Sequence, residues 1–381
     1  MIPYGTQCVD DHDRSAVDAV LRSDFLTQGP QVPAFEQAVA SCVQAPHAVA
    51  VSSATAALHL ACLALEVGPG DWVWTSPISF VASANCARYC GASVDFVDID
   101  PATLNLCPRA LAAKLIDAER LGRLPKVVIP VHFGGQPCDM AAIAALAERY
   151  GFAIIEDASH AIGAWHGQHP VGSCQYSAIT IFSFHPVKII TTGEGGIATT
   201  GDAHLAARLK ALRSHGITRE RGEFELDDHG PWYYEQQTLG YNYRLTDIQA
   251  ALGLSQLARL EQFIERRHVL AERYRQKLAN LAIDWQLLPA DDRSALHLFV
   301  IRVAAKRRRA IFEALRDAGI GVNVHYVPVY LQPEYRRLGF TDGHCPQAEL
   351  YYQQALTLPL HPRLSDDAQE HVVARLRELL A

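Results

Sequence analysis

Lys188 stands between an apolar run and a glycine-rich turn, in Phe182-Ser183-Phe184-His185-Pro186-Val187-Lys188 followed by Ile189-Ile190-Thr191-Thr192-Gly193-Glu194-Gly195-Gly196. A lysine at the edge of a buried region loses part of its hydration, which lowers its pKa and makes the amine a nucleophile for a carbonyl carbon. Upstream, Ile154-Ile155-Glu156-Asp157-Ala158-Ser159-His160 ends a second apolar run on an acid and an imidazole. A carboxylate at a strand end can hold the ring-nitrogen proton that the electron-sink chemistry of pyridoxal phosphate (PLP) requires. Each group alone has a plainer reading: Lys188 as a surface salt-bridge partner, Asp157 as a turn or cap, His160 as a satisfied core histidine. Together they point to a PLP enzyme.

The elements that position these groups follow from hydrophobic periodicity. Val49-Ala50-Val51 reads as a buried strand breaking at Ser52-Ser53-Ala54-Thr55 into a helix over 55–66. A strand, a small-residue turn and a helix start aim backbone N–H groups outward and suit an anion such as a phosphate, although Ser and Thr also serve there as ordinary N-caps. Further strands at 72–75, 93–97, 127–131, 153–155 and 197–200 alternate with helical patterns at 80–89, 110–120, 140–150 and 202–213, which implies βαβ units and a mostly parallel, helix-covered sheet. In such sheets ligands sit at the carboxyl ends of the strands, where Ser52–Thr55, Asp157 and the Lys188 turn all fall. Helices are also expected at 10–22 and 33–43. Residues 216–240 lack periodicity and read as a long loop of functional or interface character. A broken helical region spans 245–281, and the pattern then changes to α+β, with strands at 296–303 and 321–324 and helices at 307–318 and 366–380. The domain expectation is a large domain over 1–245, connecting helices over 246–284 and a small C-terminal domain over 285–381.

Bulk composition narrows the function class. The chain has 381 residues, 49% hydrophobic and 20% charged, with a net charge of −7. Its densest basic run, Lys306-Arg307-Arg308-Arg309, is too short for a nucleic-acid surface. The N-terminus lacks the pattern of a secretory signal, and no stretch has eighteen uninterrupted apolar residues, so neither export nor a membrane span is expected. Nine cysteines include no CxxC, and the Cys86/Cys90 spacing matches no usual zinc site, which reads as reduced thiols in a cytoplasmic protein with no metal.

Over essentially its whole length the chain resembles the DegT/DnrJ/EryC1/StrS nucleotide-sugar aminotransferases. The resemblance is carried by Pro3-Tyr4-Gly5, Thr27-Gln28-Gly29-Pro30, Ser52-Ser53-Ala54-Thr55-Ala56-Ala57-Leu58 and Thr75-Ser76-Pro77-Ile78-Ser79-Phe80-Val81-Ala82, then by Val131-His132-Phe133-Gly134-Gly135-Gln136, Glu156 to Ala164, the Lys188 segment, Tyr241-Asn242-Tyr243-Arg244 and His325-Tyr326-Val327-Pro328. It implies the fold-type I, aspartate aminotransferase-like α/β architecture and PLP bound covalently at Lys188. By the same resemblance Asp157 holds the pyridinium proton, His160 lies beside the ring, Phe80 stacks on it, and Ala54, Thr55 and Ser183 hold the phosphate. Asn242 comes from the second subunit, which implies a homodimer with shared active sites. The substrate is implied to be a UDP-4-keto sugar bound by Tyr4, Asp24, Phe25, Leu26, Thr27, His325, Tyr326, Val327 and Pro328, with L-glutamate as amino donor.

Within the family, Ser-Phe-His-Pro-Val-Lys followed by Thr-Thr looks like the enzymes acting on UDP-4-keto-6-deoxy-N-acetylhexosamines and on UDP-4-keto-arabinose, and Pro-Ile-Ser-Phe-Val-Ala looks most like the pseudaminic acid branch. Ala54 and Ile189 depart from the commoner residues at their positions and are expected to reshape the site without ending catalysis. Alternatives are the same chemistry on UDP-4-keto-arabinose or on a GDP- or dTDP-4-keto-6-deoxyhexose, a PLP-dependent sugar dehydratase, or a PLP-binding regulator without chemistry. The presence of Lys188 argues against the dehydratase, and the intact Asp157/Lys188 pair against the regulator.

Overall fold

In the computed structural model, which describes residues 1–380, alternation of apolar strands and amphipathic helices builds a three-layer α/β unit. Helices α1 (Asp11–Leu21) and α2 (Gln31–Cys42) lead into β1 (His47–Val51) and α3 (Ala54–Ala64). Then come β2 (Trp72–Thr75), α4 (Ala82–Tyr89), β3 (Ser93–Phe96), α5 (Pro108–Leu121), β4 (Val127–Ile129), α6 (Met140–Tyr150) and β5 (Ala153–Asp157). A small hairpin, β6 (Trp165–His166) and β7 (His169–Pro170), precedes β8 (Ile179–Ser183), β9 (Gly196–Thr200) and α7 (Ala203–Arg213). The seven long strands form one sheet in the order β1-β9-β8-β5-β4-β2-β3. All pairings are parallel except those of β9, which runs antiparallel to both β1 and β8. Its central strands are buried on both faces and mostly apolar, as in ITIF of β8 and AII of β5.

The expected loop over 216–240 carries a two-stranded ribbon, β10 (Ile217–Thr218) against β11 (Glu235–Gln236), and exposes Leu226, Trp232, Tyr234 and Leu239. The broken helical region resolves into α8 (Asp247–Leu257) and α9 (Leu260–Leu278). Thr246 caps α8 in a reciprocal box with Gln249, which explains the sharp start. Asp247, fully buried in the first turn, accepts the N–H groups of Gly29 and Gln31 at 2.7 Å each and so fastens the Thr27–Pro30 turn to α8.

The C-terminal part contains β12 (Asp284–Trp285), β13 (Asp292–Arg293), β14 (Phe299–Arg302), α10 (Ala305–Asp317), α11 (Pro333–Arg336), α12 (Pro346–Gln354), β15 (Ala355–Leu358) and α13 (Asp366–Leu380). Its sheet is β12-β14-β15, whereas β13 joins the β6/β7 hairpin of the large unit. The strand expected at 321–324 does not form. This stretch divides its hydrogen bonds between two neighbours: Gly321 N–H reaches Ile2 at 2.6 Å, and Asn323 exchanges bonds with Thr357. The N-terminal residues therefore pack on the C-terminal core, where Ile2 joins Leu270, Ile320 and Leu376. The terminal helix over 366–380 agrees with expectation; β15 and α12 carried no reading from sequence. Among the described residues no helix is long and apolar enough to cross a membrane.

Candidate active site

A cavity of about 510 Å³ opens at the carboxyl ends of the strands, between the large sheet and the C-terminal part. Its floor begins with the sequence around the lysine. Phe182 and Phe184 are fully buried and Ile189 and Ile190 nearly so, all in a core cluster with Phe35 and Val39. Burial of side chains this size contributes about 1.5–3 kcal/mol each, so the backbone is fastened on both sides of the lysine. The intervening turn closes through Lys188 N–H to His185 O (2.9 Å), while Phe184 O accepts from Thr192 N (3.0 Å) and Thr191 Oγ1 (2.9 Å). Lys188 lines the cavity from this frame, together with His185 and Val187. Burial pushes its amine down to about 8, with the charge of Asp157 pulling the other way.

Asp157 ends β5 and is buried. Its Oδ2 accepts from Ser83 Oγ at 2.6 Å, Ser83 lies 2.6 Å from Ser79 Oγ, and Oδ1 accepts the Ser159 N–H at 3.1 Å. Both hydroxyls sit at the start of the α4 region, and sequence reading assigned them no role. Serines are common at helix starts, and only the tertiary fold brings Ser83 to an acid 74 positions away. The neighbouring acid, Glu156, points elsewhere. His132 Nδ1 accepts the Cys138 N–H (3.1 Å), so its Nε2 carries the proton and donates to Glu156 at 2.7 Å. Burial alone would raise the Glu156 pKa, but the bonds from His132, Ser177 and Thr180 outweigh it and hold it low. Glu156 is a satisfied structural acid, and Asp157 is the one that lines the cavity.

At the opposite wall Ser53 caps α3 by accepting the Ala56 N–H at 3.1 Å, which leaves the first-turn N–H groups of Ala54 and Thr55 free to face the cavity. The cup is held by close approach: a Cβ at Gly196 would strike the Ala54 nitrogen and lie 2.7 Å from its Cα, so only glycine lets β9 pass beneath α3. Ser183, at the end of β8, faces the same space. His160 is buried; its Nδ1 accepts the Gly134 N–H and its Nε2 faces Tyr326 Oη, both at 3.3 Å, which places the proton on Nε2. Burial, and then the charges of Lys188 and His325, hold its pKa well below the ordinary range, so the ring is neutral.

Of the residues expected from sequence, the structure brings together Tyr4, Ala54, Thr55, Phe80, Asp157, His160, Ser183, Lys188, His325 and Tyr326 around one cavity. Phe80 stands at its rim, 60% exposed, just before α4 rather than inside it. Asp24, Phe25, Leu26, Thr27 and Asn242 are exposed and lie outside the cavity of this chain. Val327 and Pro328 also lie outside it; the next residue, Val329, donates to Pro77 O and ties the segment to the loop that carries Phe80. Asn323, Val324 and Glu194 line the cavity without having been assigned a role, as do His185 and Val187, which were read only as part of the motif before Lys188.

The residues present fit PLP. A half-buried lysine and a buried carboxylate of opposite charge, neither in an ion pair, share one cavity, and a helix start with free N–H groups faces them. Isolated buried charges are costly unless a bound group compensates them. Ala54 and Thr55, with Ser183, would hold the phosphate, Asp157 the ring nitrogen and Lys188 the aldehyde carbon.

Comparison with known proteins gives the same answer. A model of the DegT/DnrJ/EryC1/StrS aminotransferase family matches residues 7–377. The spore coat polysaccharide biosynthesis protein SpsC of Bacillus subtilis (strain 168) is 39% identical over 386 residues, covering 100% of this chain and 97% of SpsC. The solved structure of Helicobacter pylori PseC, an aminotransferase involved in the biosynthesis of pseudoaminic acid, superposes with a TM-score of 0.91 at 30% identity, covering 100% of this chain and 99% of that one. The aminotransferase TlmJ from Streptoalloteichus hindustanus superposes with a TM-score of 0.90 at 33% identity, with the same coverage. Matched by the family model over nearly its whole length and by these relatives end to end, the chain belongs to the DegT/DnrJ/EryC1/StrS family and is a PLP-dependent nucleotide-sugar aminotransferase.

Proposed function

We propose that the chain transfers an amino group from L-glutamate to C4 of UDP-2-acetamido-2,6-dideoxy-β-L-arabino-hexos-4-ulose, a step of pseudaminic acid biosynthesis. The chemistry rests on one observation, the unpaired Lys188 amine facing Asp157 across a cavity large enough for a cofactor and a sugar ring. A UDP-linked sugar is supported by the Ser183-Phe184-His185-Pro186-Val187-Lys188 pattern, and this particular one by the Pro77-Ile78-Ser79-Phe80-Val81-Ala82 stretch and the likeness to PseC. When bound, PLP supplies an electron sink for charge developing at the carbon that bears the nitrogen. Lys188, neutral above about pH 8, takes the proton from that carbon, Cα of the donor, and in the second half-reaction returns a proton to C4 of the sugar. Asp157 keeps the ring nitrogen protonated, held in orientation by Ser83 and Ser159. The neutral His160 offers a fixed N–H without adding charge.

The 39% identity with SpsC favours a second reading, the same transfer onto another NDP-4-keto sugar destined for a surface polysaccharide. Product mass spectrometry with glutamate and a panel of UDP-, GDP- and dTDP-4-keto sugars separates the two. Amination of the L-arabino-hexulose is the expected result, and amination of a different sugar alone would replace the first reading with the second.

We further propose a homodimer in which Asn242 and Asp24–Thr27 complete the partner's cavity. Their exposure outside their own cavity, and the exposure of the apolar Leu226, Trp232, Tyr234 and Leu239, support this. Mixing an inactive Lys188→Ala chain with a weakened Asn242→Ala chain is expected to restore activity above that of either alone, because one site of the mixed dimer is intact. No gain on mixing, with exchange of subunits verified, sinks the shared-site reading. A cytoplasmic setting is supported by nine cysteines that are all free thiols.

A further inference from the structure

Arg267 on α9 is 1% exposed, and among the described residues no carboxylate pairs with it. A buried cation is costly unless other groups surround its protons. Here backbone carbonyls do so: Arg267 Nη1 donates to Leu296 O (3.3 Å), His297 O (3.2 Å) and Leu360 O (2.8 Å). In an extended strand successive carbonyls point to opposite sides, so the chain cannot run straight from Leu296 into β14. Leu296 instead takes the left-handed region, with φ at +48°, which a residue with a side chain rarely adopts. The turn is fixed on both flanks, by Ala295 N–H to Gly135 O (2.9 Å), Leu296 N–H to Ser294 Oγ (3.1 Å) and Leu298 N–H to Gly134 O (3.2 Å). Backbone strain of this kind persists only where the surroundings over-determine it, and it gathers at functional sites. What the turn delivers is the ring of His297. That ring is buried, its Nδ1 has no hydrogen-bond partner, and its centroid lies 4.4 Å from that of His160 at a tilt of 42°. His160 lines the cavity and His297 does not, so the second imidazole backs the first. Burial first, and then nearby positive charge including that of Lys188 and Arg267, holds the His297 pKa well below the ordinary range, so the backing surface is uncharged.

We infer that His297 is a positioning residue for His160: seated by Arg267 and the Leu296 turn, its ring holds the His160 imidazole at the angle that aims Nε2 toward Tyr326 and the cofactor space. The inference rests on the placement of the cofactor beside His160 and adds what keeps that imidazole still. The polar contacts of His160 are too long to do so alone. Gly134 N–H to Nδ1 and Nε2 to Tyr326 Oη are both 3.3 Å, beyond the usual range of a firm hydrogen bond. The Phe133 and Tyr326 rings stand off at 6.2 and 6.3 Å, which leaves His297, at 4.4 Å, as the ring in closest contact. An ordinary core histidine satisfies its ring nitrogens, because an unpaired buried polar atom is costly. His297 leaves Nδ1 unpaired, so a flat ring is kept at this place against that cost.

The orientation of His160 can be read by NMR without cofactor. In cofactor-free protein carrying isotope-labelled histidine, the His160 Nε2–H resonance is assigned by its loss in His160→Ala. It is expected in wild type and absent in His297→Ala, where the freed ring samples several orientations. His297→Phe, which keeps a flat neutral ring, should restore it. In the holoenzyme His297→Ala is expected to lower kcat about 10- to 100-fold, with KM for the keto sugar within about twofold of wild type, and the Phe variant to recover most of the loss. In a His160→Ala background His297→Ala should cost nothing more, since it acts through that ring. Arg267→Met would leave three buried carbonyls unpaired and is expected to unfold the chain, so the His297 variants carry the test. Should His297→Ala not fold, His297→Leu, which fills the volume without a flat ring, takes its place with the same expectations. A full further loss in the His160→Ala background, a His160 resonance that survives removal of the ring, or a Phe variant no better than Ala would each overturn the inference. A His160→Ala enzyme with unchanged turnover would instead overturn the placement of the cofactor beside that ring, and the cofactor-free resonance would still decide whether His297 positions it.

Discussion

Lys188→Ala is expected to cut turnover by about 10³- to 10⁴-fold, the upper range for a positioned acid–base group, while the fold survives. The side chain makes no ion pair, and the buried Phe184 and Ile189–Ile190 that fasten its turn are untouched. Wild-type protein treated with PLP and borohydride should carry the cofactor on the Lys188 peptide, and the variant nowhere. An unchanged rate, or labelling at another lysine, would sink the assignment. The lowered pKa also fixes a pH dependence. The amine attacks only when neutral, so covalent capture of PLP should speed up as pH rises through about 8 and level off above it. The same shift has a sign in stability. An unfolded lysine keeps its proton to about 10.4. Between about 8 and that value the unfolded chain therefore binds the extra proton, and the cofactor-free fold gains stability as pH rises. Below about 8 both states are protonated and the buried charge is a constant cost. Thermal melts of cofactor-free protein should show this slope, and Lys188→Met should remove it.

The second large effect is expected at Asp157→Asn. Shape and the Ser83 contact are kept while the charge is lost, so what disappears is the carboxylate that keeps the ring nitrogen protonated. Removing one partner of a buried charge pair costs about 3–5 kcal/mol, which corresponds to about 10²- to 10⁴-fold in rate. Asp157 also pulls the Lys188 pKa upward, so in the variant the midpoint for covalent cofactor capture should move below 8. Stopped-flow capture rates across pH and steady-state kcat measure both. A loss under tenfold, or a midpoint that does not move or moves upward, would show that Asp157 does not face the cofactor.

Lys188 and Asp157 were legible in the sequence because each sits at the end of an apolar run followed by a turn, and strand ends in a parallel sheet converge by topology. Ala54 and Thr55 were legible for the same reason. The antiparallel direction of β9 was not, since a two-residue period carries no polarity. The failure of a strand at 321–324 also follows from contacts that sequence does not announce: its hydrogen bonds are shared between Ile2, at the far end of the chain, and Thr357. Ser83 is a common polar residue without a local signature, and its role depends on a partner distant in the sequence. Asp24–Thr27 and Asn242 came from family resemblance, and a single chain places them outside its own cavity.

The crossing at Gly135 ties these parts together mechanically. With φ at +94°, this residue passes so close to its surroundings that a Cβ would lie 2.8 Å from His160 O, 2.9 Å from Leu296 N and 3.0 Å from His297 N. Gly135 O also accepts the Ala295 N–H at 2.9 Å. The loop carrying the imidazole and the segment entering β14 are therefore clamped to the same point. The joint has no slack to work as a hinge. The backbone behind the imidazole and the chain that enters the C-terminal sheet thus share one seat, and a side chain at position 135 would have to part them.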